Sequence, residues 1–312
     1  MAAAAELSCA NIVAVSDQQP VADLSEDIEF YSDWQDLIGD DSVEAVSICL
    51  PHFLHEEVAT AALGVNKHVL MEKPLACTVQ QGEAIVGLAA QLGLTLMVEL
   101  THRFYTPVLA AKQMVAAGRL GRLLAIEDRI VESVPDTFPA WLTNHDAAGG
   151  GVALTNGIHM LDRIAFVTGE ALTFMAGSAG AQQQLGNIED TAAMQLQLAS
   201  GVPVQLLAQW RRGDSQLLDD ELTFYGTKAT LRVWAWRGWR LELIDGSVEE
   251  EDCYDPSWVL PAVARLAMAD AIAQFCQSIR AKETSHPTVQ GAITSQRLIE
   301  SFYKATGRAG GG

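Results

Sequence analysis

Over the first hundred positions, short apolar and β-branched runs alternate with stretches of helical period. "NIVAVSD" reads as a strand ending in Asp17. "VEAVSICLP" is a continuous apolar run, as expected of a parallel strand buried on both faces. In the following "HEEVATAALGVNK", Val58, Ala61, Ala62 and Val65 share one helical face. "HVLMEKP" is the next strand. "TVQQGEAIVGLAAQLG" then opens with a capping box from Thr78 to Gln81 and stops at Gly93. "LTLMVEL" completes a strand–helix–strand–helix–strand series, which predicts a parallel α/β sheet.

After residue 100 the pattern changes. Pro107 to Gly118 predicts one more helix, and "RLLAIEDRIVESV" a long strand. From about residue 190 the strands alternate in the half-exposed manner: "AMQLQLAS" puts Met194, Leu196 and Leu198 on one face and Gln195 and Gln197 on the other. "VPVQLLAQW", "ELTFYG", "ATLRVWAW" and "WRLELIDG" follow, joined by Gly-containing turns, and predict a mostly antiparallel sheet with one face covered. Two helices, over 259–280 and 288–305, close the chain. The expected fold class is α/β: a dinucleotide-binding Rossmann unit over 1–100, lacking its first strand, and an α/β domain with an open, mostly antiparallel sheet over 101–312.

Composition adds constraints. The 312 residues suffice for two domains. No run approaches the ~18 apolar residues of a spanning helix, and the alanine-rich start has no basic region of a signal peptide. Five cysteines without CxxC spacing point to free thiols in a reducing compartment, hence to the cytoplasm. A net charge of −19 disfavours nucleic acid and anionic membrane as partners.

Two stretches carry candidate chemistry. In "HVLMEKPLA" an apolar strand ends in Glu72, Lys73 and Pro74, and ligands of open α/β sheets bind at strand carboxyl ends. A lysine there can stabilise a developing alkoxide; the alternative is a surface ion pair. In "AGGGVALTNGIHMLD" three glycines allow close backbone approach to a ligand before a helix. Thr155 and His159 share a face, with Asp162 one turn on. Such a histidine can serve as general base for an alcohol; the alternative is a glycine turn that packs a helix beside a buried His. Asp17 ends its strand as an acid that holds a ribose hydroxyl does, and the glycine fingerprint belongs roughly 20 residues before such an acid. None of the sixteen residues before Asp17 is Gly.

Together with "SICLPHFLH", "THRFYTP", "GRLGRL", "ELTFYGTKATLRV" and "HPTVQGA", these stretches resemble the Gfo/Idh/MocA family of NAD(P)-dependent oxidoreductases from about residue 8 to the C-terminus. The resemblance implies that Lys73 sits between nicotinamide and the reacting hydroxyl, and that His159 exchanges the hydroxyl proton while hydride moves to or from nicotinamide C4. It also implies cofactor contacts from Asp17, Pro51, His52, Glu72 and Lys73. NAD is expected over NADP, since Asp17 has no Arg after it and an acid repels a 2′-phosphate. His52 stands where the family commonly has Asn. Thr155 stands where many members have an Asp that would orient His159.

The resemblance further implies that "MAAAAEL" is the end of the first Rossmann helix. The first strand and phosphate-cradling turn would then be absent, leaving two unpaired edges within the sheet. A start at an internal Met, a fragment completed by another polypeptide, and a shortened non-catalytic relative each account for this.

Substrate contacts are expected from Arg103, Trp141, Asn144, Thr155, Asn156 and His159. Arg103 in a hinge ion pair, and Trp141 anchoring a solvated polar loop, are the alternatives. His52 and His55 have H-x-x-H spacing without further clustered ligands, so no metal is expected. Trp234, Trp236 and Trp239 read as sheet packing or an interface. The expected function is hydride transfer between nicotinamide and a secondary hydroxyl or ketone of a sugar, inositol or sugar derivative, in a homo-oligomer (dimer or tetramer) formed through the C-terminal sheet. A non-catalytic ligand- or partner-binding member and an NAD-dependent glycosidase are the other readings.

Overall fold

A computed structural model describes residues 9–22, 24–213, 218–254 and 260–308. "MAAAAEL" lies outside them. The parallel strands form two separate sheets. β1 (Ala14–Ser16) pairs only with β2 (Glu29–Tyr31), while β3 (Ala45–Ile48), β4 (His68–Glu72) and β5 (Leu96–Glu99) pair in that order. Among the described residues no strand bonds the second edge of β1 or the outer edge of β3. The three-residue β2 carries too little pattern to be read from sequence.

The helices follow their sequence signals. α1 (Trp34–Gly39) is capped by the Asp33 side chain, which accepts from Gln35 N. α2 (His55–Gly64) buries Val58, Ala59, Ala62 and Leu63. α3 (Val79–Leu92) starts at the Thr78–Gln81 capping box and ends at Gly93, whose φ of 69° suits glycine. α4 (Thr106–Ala116) has Pro107 in its first turn. α5 (Ile158–Thr168) is preceded by a π turn over Ala153–Gly157. α6 (Leu260–Arg280) lays Ala271 and Phe275 on Leu70 and Met97, covering one face of the parallel strands.

The second sheet has eight strands: β6 (Leu123–Val134), β7 (Leu172–Gly180), β8 (Thr191–Leu198), β9 (Pro203–Arg212), β10 (Leu218–Gly226), β11 (Ala229–Trp234), β12 (Gly238–Leu243) and β13 (Val248–Asp252). Their order is β13-β12-β11-β10-β6-β9-β8-β7, and every pairing is antiparallel except β6 with β9. The alternation expected of β8 is present: Met194, Leu196 and Leu198 are buried, Gln195 and Gln197 exposed. α7 (Pro287–Thr306) packs on β7, where Gly177 leaves room for the Phe302 ring.

Sequence reading missed β7 and β13. β7 contains Ala, Gly and Ser in place of large alternating residues. β13 is wholly exposed and largely acidic; it joins the sheet through its antiparallel ladder with β12, where Arg119, Arg240 and Arg237 pair with Glu249, Glu250 and Asp252. The parallel strands and the large sheet thus leave the carboxyl ends of β3 and β4 beside the start of α5.

Candidate active site

Lys73 follows β4, and its Nζ donates to the Thr155 carbonyl at 2.9 Å. That carbonyl lies in the π turn before α5, where the widened ladder frees backbone acceptors. Burial pulls the Lys73 ammonium below its usual pKa, against the opposing charges of Glu72 and Glu132. Only one of its three N–H bonds goes to Thr155, leaving two for a ligand oxygen.

His159, one turn after Thr155, is buried, and its Nδ1 has no partner. Burial, followed by the charges of Lys73 and Arg163, pushes its pKa well below the ordinary histidine range. It is therefore neutral at pH 7 and free to accept a proton. The Thr155 hydroxyl is also buried and unpartnered. Three polar groups thus converge, each with unused hydrogen-bonding capacity.

Glu132 of β6 adds a carboxylate that sequence reading missed. Its Oε2 accepts from Asn156 Nδ2 at 3.0 Å, and Asn156 Oδ1 accepts from Trp210 Nε1 at 3.0 Å. The Asn156 amide is thereby committed to the protein on both sides. Glu132 has the same parity as the buried Ile126, Asp128, Ile130 and Val134 of β6, and the tertiary fold brings that face toward Lys73.

At the end of β3, Pro51 starts a short turn and His52 is buried. His52 Nδ1 lies 2.7 Å from the Ala148 carbonyl, and its ring meets Trp141 edge-on at 4.8 Å. Burial pushes its pKa down to about 3, so it stays neutral. His55 places its ring nitrogens 2.8 Å from the Pro74 and 2.9 Å from the Leu50 carbonyls. These contacts occupy the nitrogens that H-x-x-H spacing would offer to a metal. Asp17 is exposed at the end of β1, with Oδ1 accepting from Gln19 N at 2.9 Å.

Other residues singled out from sequence are used by the protein itself. Arg103 forms a bidentate pair with Asp162 (Nε–Oδ2 2.8 Å, Nη2–Oδ1 2.6 Å), under which Gly291 leaves the necessary room. Asn144 caps the turn His145–Ala148, accepting from Asp146 N at 2.9 Å. The glycine run approaches protein. An added Cβ would lie 3.0 Å from Cys77 backbone at Gly149, 2.0 Å from Tyr303 Oη at Gly150 and 2.0 Å from the Glu189 carbonyl at Gly151. Close helix packing accounts for these glycines.

Gly151→Ala should therefore displace Glu189, whose carboxylate accepts from Gly151 N and Ala153 N at 3.0 Å. A loss of about 1–3 kcal/mol is expected from such overpacking, measurable by urea denaturation.

Glu72 and Glu99 are direct partners across the β4–β5 ladder. Burial, then the neighbouring Glu72 charge, pushes the Glu99 carboxyl up to about 8. A carboxyl raised in the fold adds stability below its unfolded pKa, near ~4.3, and loses it as pH rises through the folded value. Glu99→Gln, which imitates the protonated form, should gain on the wild type as pH rises from about 5 to 9, by about 4 °C or more in Tm across that interval.

The residues present fit the nicotinamide half of a dinucleotide. Pro51, His52 and Glu72 lie at or just beyond strand carboxyl ends near Lys73, whose Nζ keeps N–H bonds free beyond that to the Thr155 carbonyl, while Asp17 stands apart at the end of β1. The described residues provide no glycine-rich turn for a pyrophosphate.

Comparison with known proteins agrees with this arrangement. The profile of the oxidoreductase family with an NAD-binding Rossmann fold, GFO/IDH/MocA, matches residues 1–100, and that of the GFO/IDH/MocA C-terminal domain matches 108–232. The levoglucosan dehydrogenase of Pseudarthrobacter phenanthrenivorans is 30% identical over 142 residues, covering 45% of this chain and 36% of that protein. The 1,5-anhydro-D-fructose reductase of Ensifer adhaerens is 31% identical over 174 residues, covering 55% and 52%. The crystal structure of an inositol dehydrogenase homolog from Azotobacter vinelandii, complexed with NAD+, has a similar fold: TM-score 0.77 at 17% identity, covering 90% of this chain and 82% of that one.

The fold is a Rossmann NAD-binding unit joined to a large, mostly antiparallel sheet. The chain belongs to the GFO/IDH/MocA family of oxidoreductases. Its alignments span about a third and about half of the two curated relatives.

Proposed function

We propose that the chain oxidises a secondary hydroxyl of a sugar, inositol or sugar derivative, or reduces the corresponding ketone. The carrying observation is the convergence of the Lys73 ammonium, donating to the Thr155 carbonyl, with a buried neutral His159 one helical turn on. NAD, or NADP in its place, supplies the hydride acceptor at nicotinamide C4 when bound. Lys73 directs its remaining N–H bonds at the substrate oxygen and stabilises the charge that develops there. His159 takes the hydroxyl proton as the carbinol C–H bond breaks with its electron pair. In the reverse direction Lys73 polarises the ketone and His159 returns the proton.

Pro51, His52 and Glu72 line the nicotinamide side in this reading, and Asp17 holds the adenosine ribose and favours NAD. Trp141 and the unpartnered Thr155 hydroxyl face the substrate. Arg103, Asn144 and Asn156 act behind them through Asp162, the capped turn and Glu132. The dinucleotide unit occupies 1–100 and the substrate unit 101–312. The open face of the eight-stranded sheet joins subunits into a homo-oligomer, and the cysteines, free among the described residues, suit the cytoplasm. Among the described residues no helix is long and apolar enough to cross a membrane.

The reading is tested by incubating the full chain with NAD+ or NADP+ and a panel of anhydro-sugars, glycosides and inositols. Absorbance at 340 nm should rise with at least one of them. Free sugar from a glycoside without net cofactor reduction identifies the glycosidase reading. Dinucleotide binding without either reaction identifies a binding member, the reading favoured by Thr155 in place of a carboxylate.

A further inference from the structure

The ring of His102, in the short turn Thr101–Phe104 after β5, lies flat against that of His159. The centroids are 4.3 Å apart and the planes differ by 12°. Both side chains are buried, at 5% and 8% exposure. A histidine that moves protons is ordinarily held at one angle by a hydrogen bond at its far ring nitrogen. His159 Nδ1 makes none and is sealed from solvent. The plane of its ring is therefore set by packing, and His102 supplies the flat face.

His102 is itself fixed. Arg163 Nη1 lies 3.4 Å from His102 Nδ1. A guanidinium only donates, so Nδ1 holds a lone pair and His102 is neutral, with its proton on Nε2. Arg163 is anchored in turn by Asp128 (Nε–Oδ2 2.9 Å) and Asp220 (Nη2–Oδ1 2.7 Å). Tyr105 and Trp236 meet the His102 ring edge-on at 5.3 and 5.8 Å. The charged and titratable groups about His102 are thus His159 and Arg163 of α5, Lys73 beyond β4 and Tyr105 of its own segment, with Asp128 of β6 and Asp220 of β10 behind Arg163. Arg163 and Lys73 both oppose a charge on His102.

We propose that His102 is the positioning residue of His159: a neutral ring, tethered through Arg163 to Asp128 and Asp220, that fixes the plane of the His159 imidazole. When His159 holds the substrate's proton, the same neutral ring presents an aromatic face to the cation, where a charged neighbour would repel it. The task of His159 rests on the oxidoreductase reading. The way its ring is held does not.

Two substitutions separate the contacts. His102→Phe keeps the flat ring and removes the acceptor, whereas His102→Gln keeps an acceptor for Arg163 and removes the stack. In the full chain labelled with [15N]histidine, and assigned through His159→Ala, the His159 ring signals should remain single and sharp in the Phe variant and broaden or split in the Gln variant. With the best substrate, kcat should stay within about threefold for Phe and fall about 10- to 100-fold for Gln, with KM nearly unchanged, as expected when a reacting group is misplaced after binding.

Wild-type signals and kcat in His102→Gln would overturn the proposal. So would an equal loss in both variants with the wild-type His159 signals retained. If the wild type turns over no substrate, the oxidoreductase reading fails, and the NMR comparison still decides how His159 is held.

Discussion

Lys73→Met lowers kcat by about 10²–10⁴-fold while the protein remains folded, the range typical of losing one group that stabilises charge or moves a proton in the transition state. The long apolar side chain fills the space of the lysine stem, so the packing around β4 survives. What disappears is the ammonium that donates to Thr155 and, in the proposed reaction, stabilises charge on the substrate oxygen. Because Glu132 and Glu72 surround this position, Met also leaves two carboxyl groups without their shared cation. A steady-state assay with a far-ultraviolet spectrum of the same sample checks the result. Near wild-type turnover would remove Lys73 from the chemistry.

Arg163→Met carries the largest expected cost in stability, about 3–5 kcal/mol, because it strands buried carboxylates without their counter-ion. Arg163 is fully buried, and its guanidinium holds both Asp128 and Asp220. Even with the cation present, burial pushes Asp128 up to about 6. Without it, Asp128 stays protonated in the fold over a wider range, while the unfolded chain ionises near ~3.9. The unfolded state then binds fewer protons than the folded one, so the variant loses stability as pH rises. Denaturation of the two proteins should differ more at pH 8 than at pH 5. An equal difference at both values would show that the acids find other partners.

Much of the fold was legible in the sequence, for physical reasons that differ between elements. Thr78, Gln81 and Gly93 bound a helix by local hydrogen bonding, so their signal survives without tertiary context. The alternation of β8 is equally local. β13 is four acids after a valine, with no alternation to reveal it, and it joins the sheet only through its ladder with β12. The three glycines before α5 were legible as close approach, but not as approach to Cys77, Tyr303 and Glu189.

The site divides in the same way. Lys73 and His159 stand in stretches with recognisable spacing. Glu132 and His102 reach them through β6 and a short turn after β5; the local signals, an acid at the core parity of β6 and a histidine in "THRFYTP", do not say which residues they meet. Arg103 reads from the sequence either as a ligand contact or as a hinge ion pair, and Asp162 occupies its guanidinium. Trp236 was expected in sheet packing or an interface; its ring lies tilted against Tyr105 at 4.4 Å and also closes the edge of His102.

Direct hydride transfer, with Lys73 and His159 on the substrate oxygen, carries the hydrogen of the oxidised carbon into the dinucleotide. The mass of the reduced dinucleotide formed from a sugar or inositol deuterated at that carbon reads this transfer. One deuterium is expected in the product of the wild-type chain, and product formation slowed by about 10²-fold or more in His159→Ala. Unlabelled product, or a folded chain that binds dinucleotide and substrate and forms none, would contradict it.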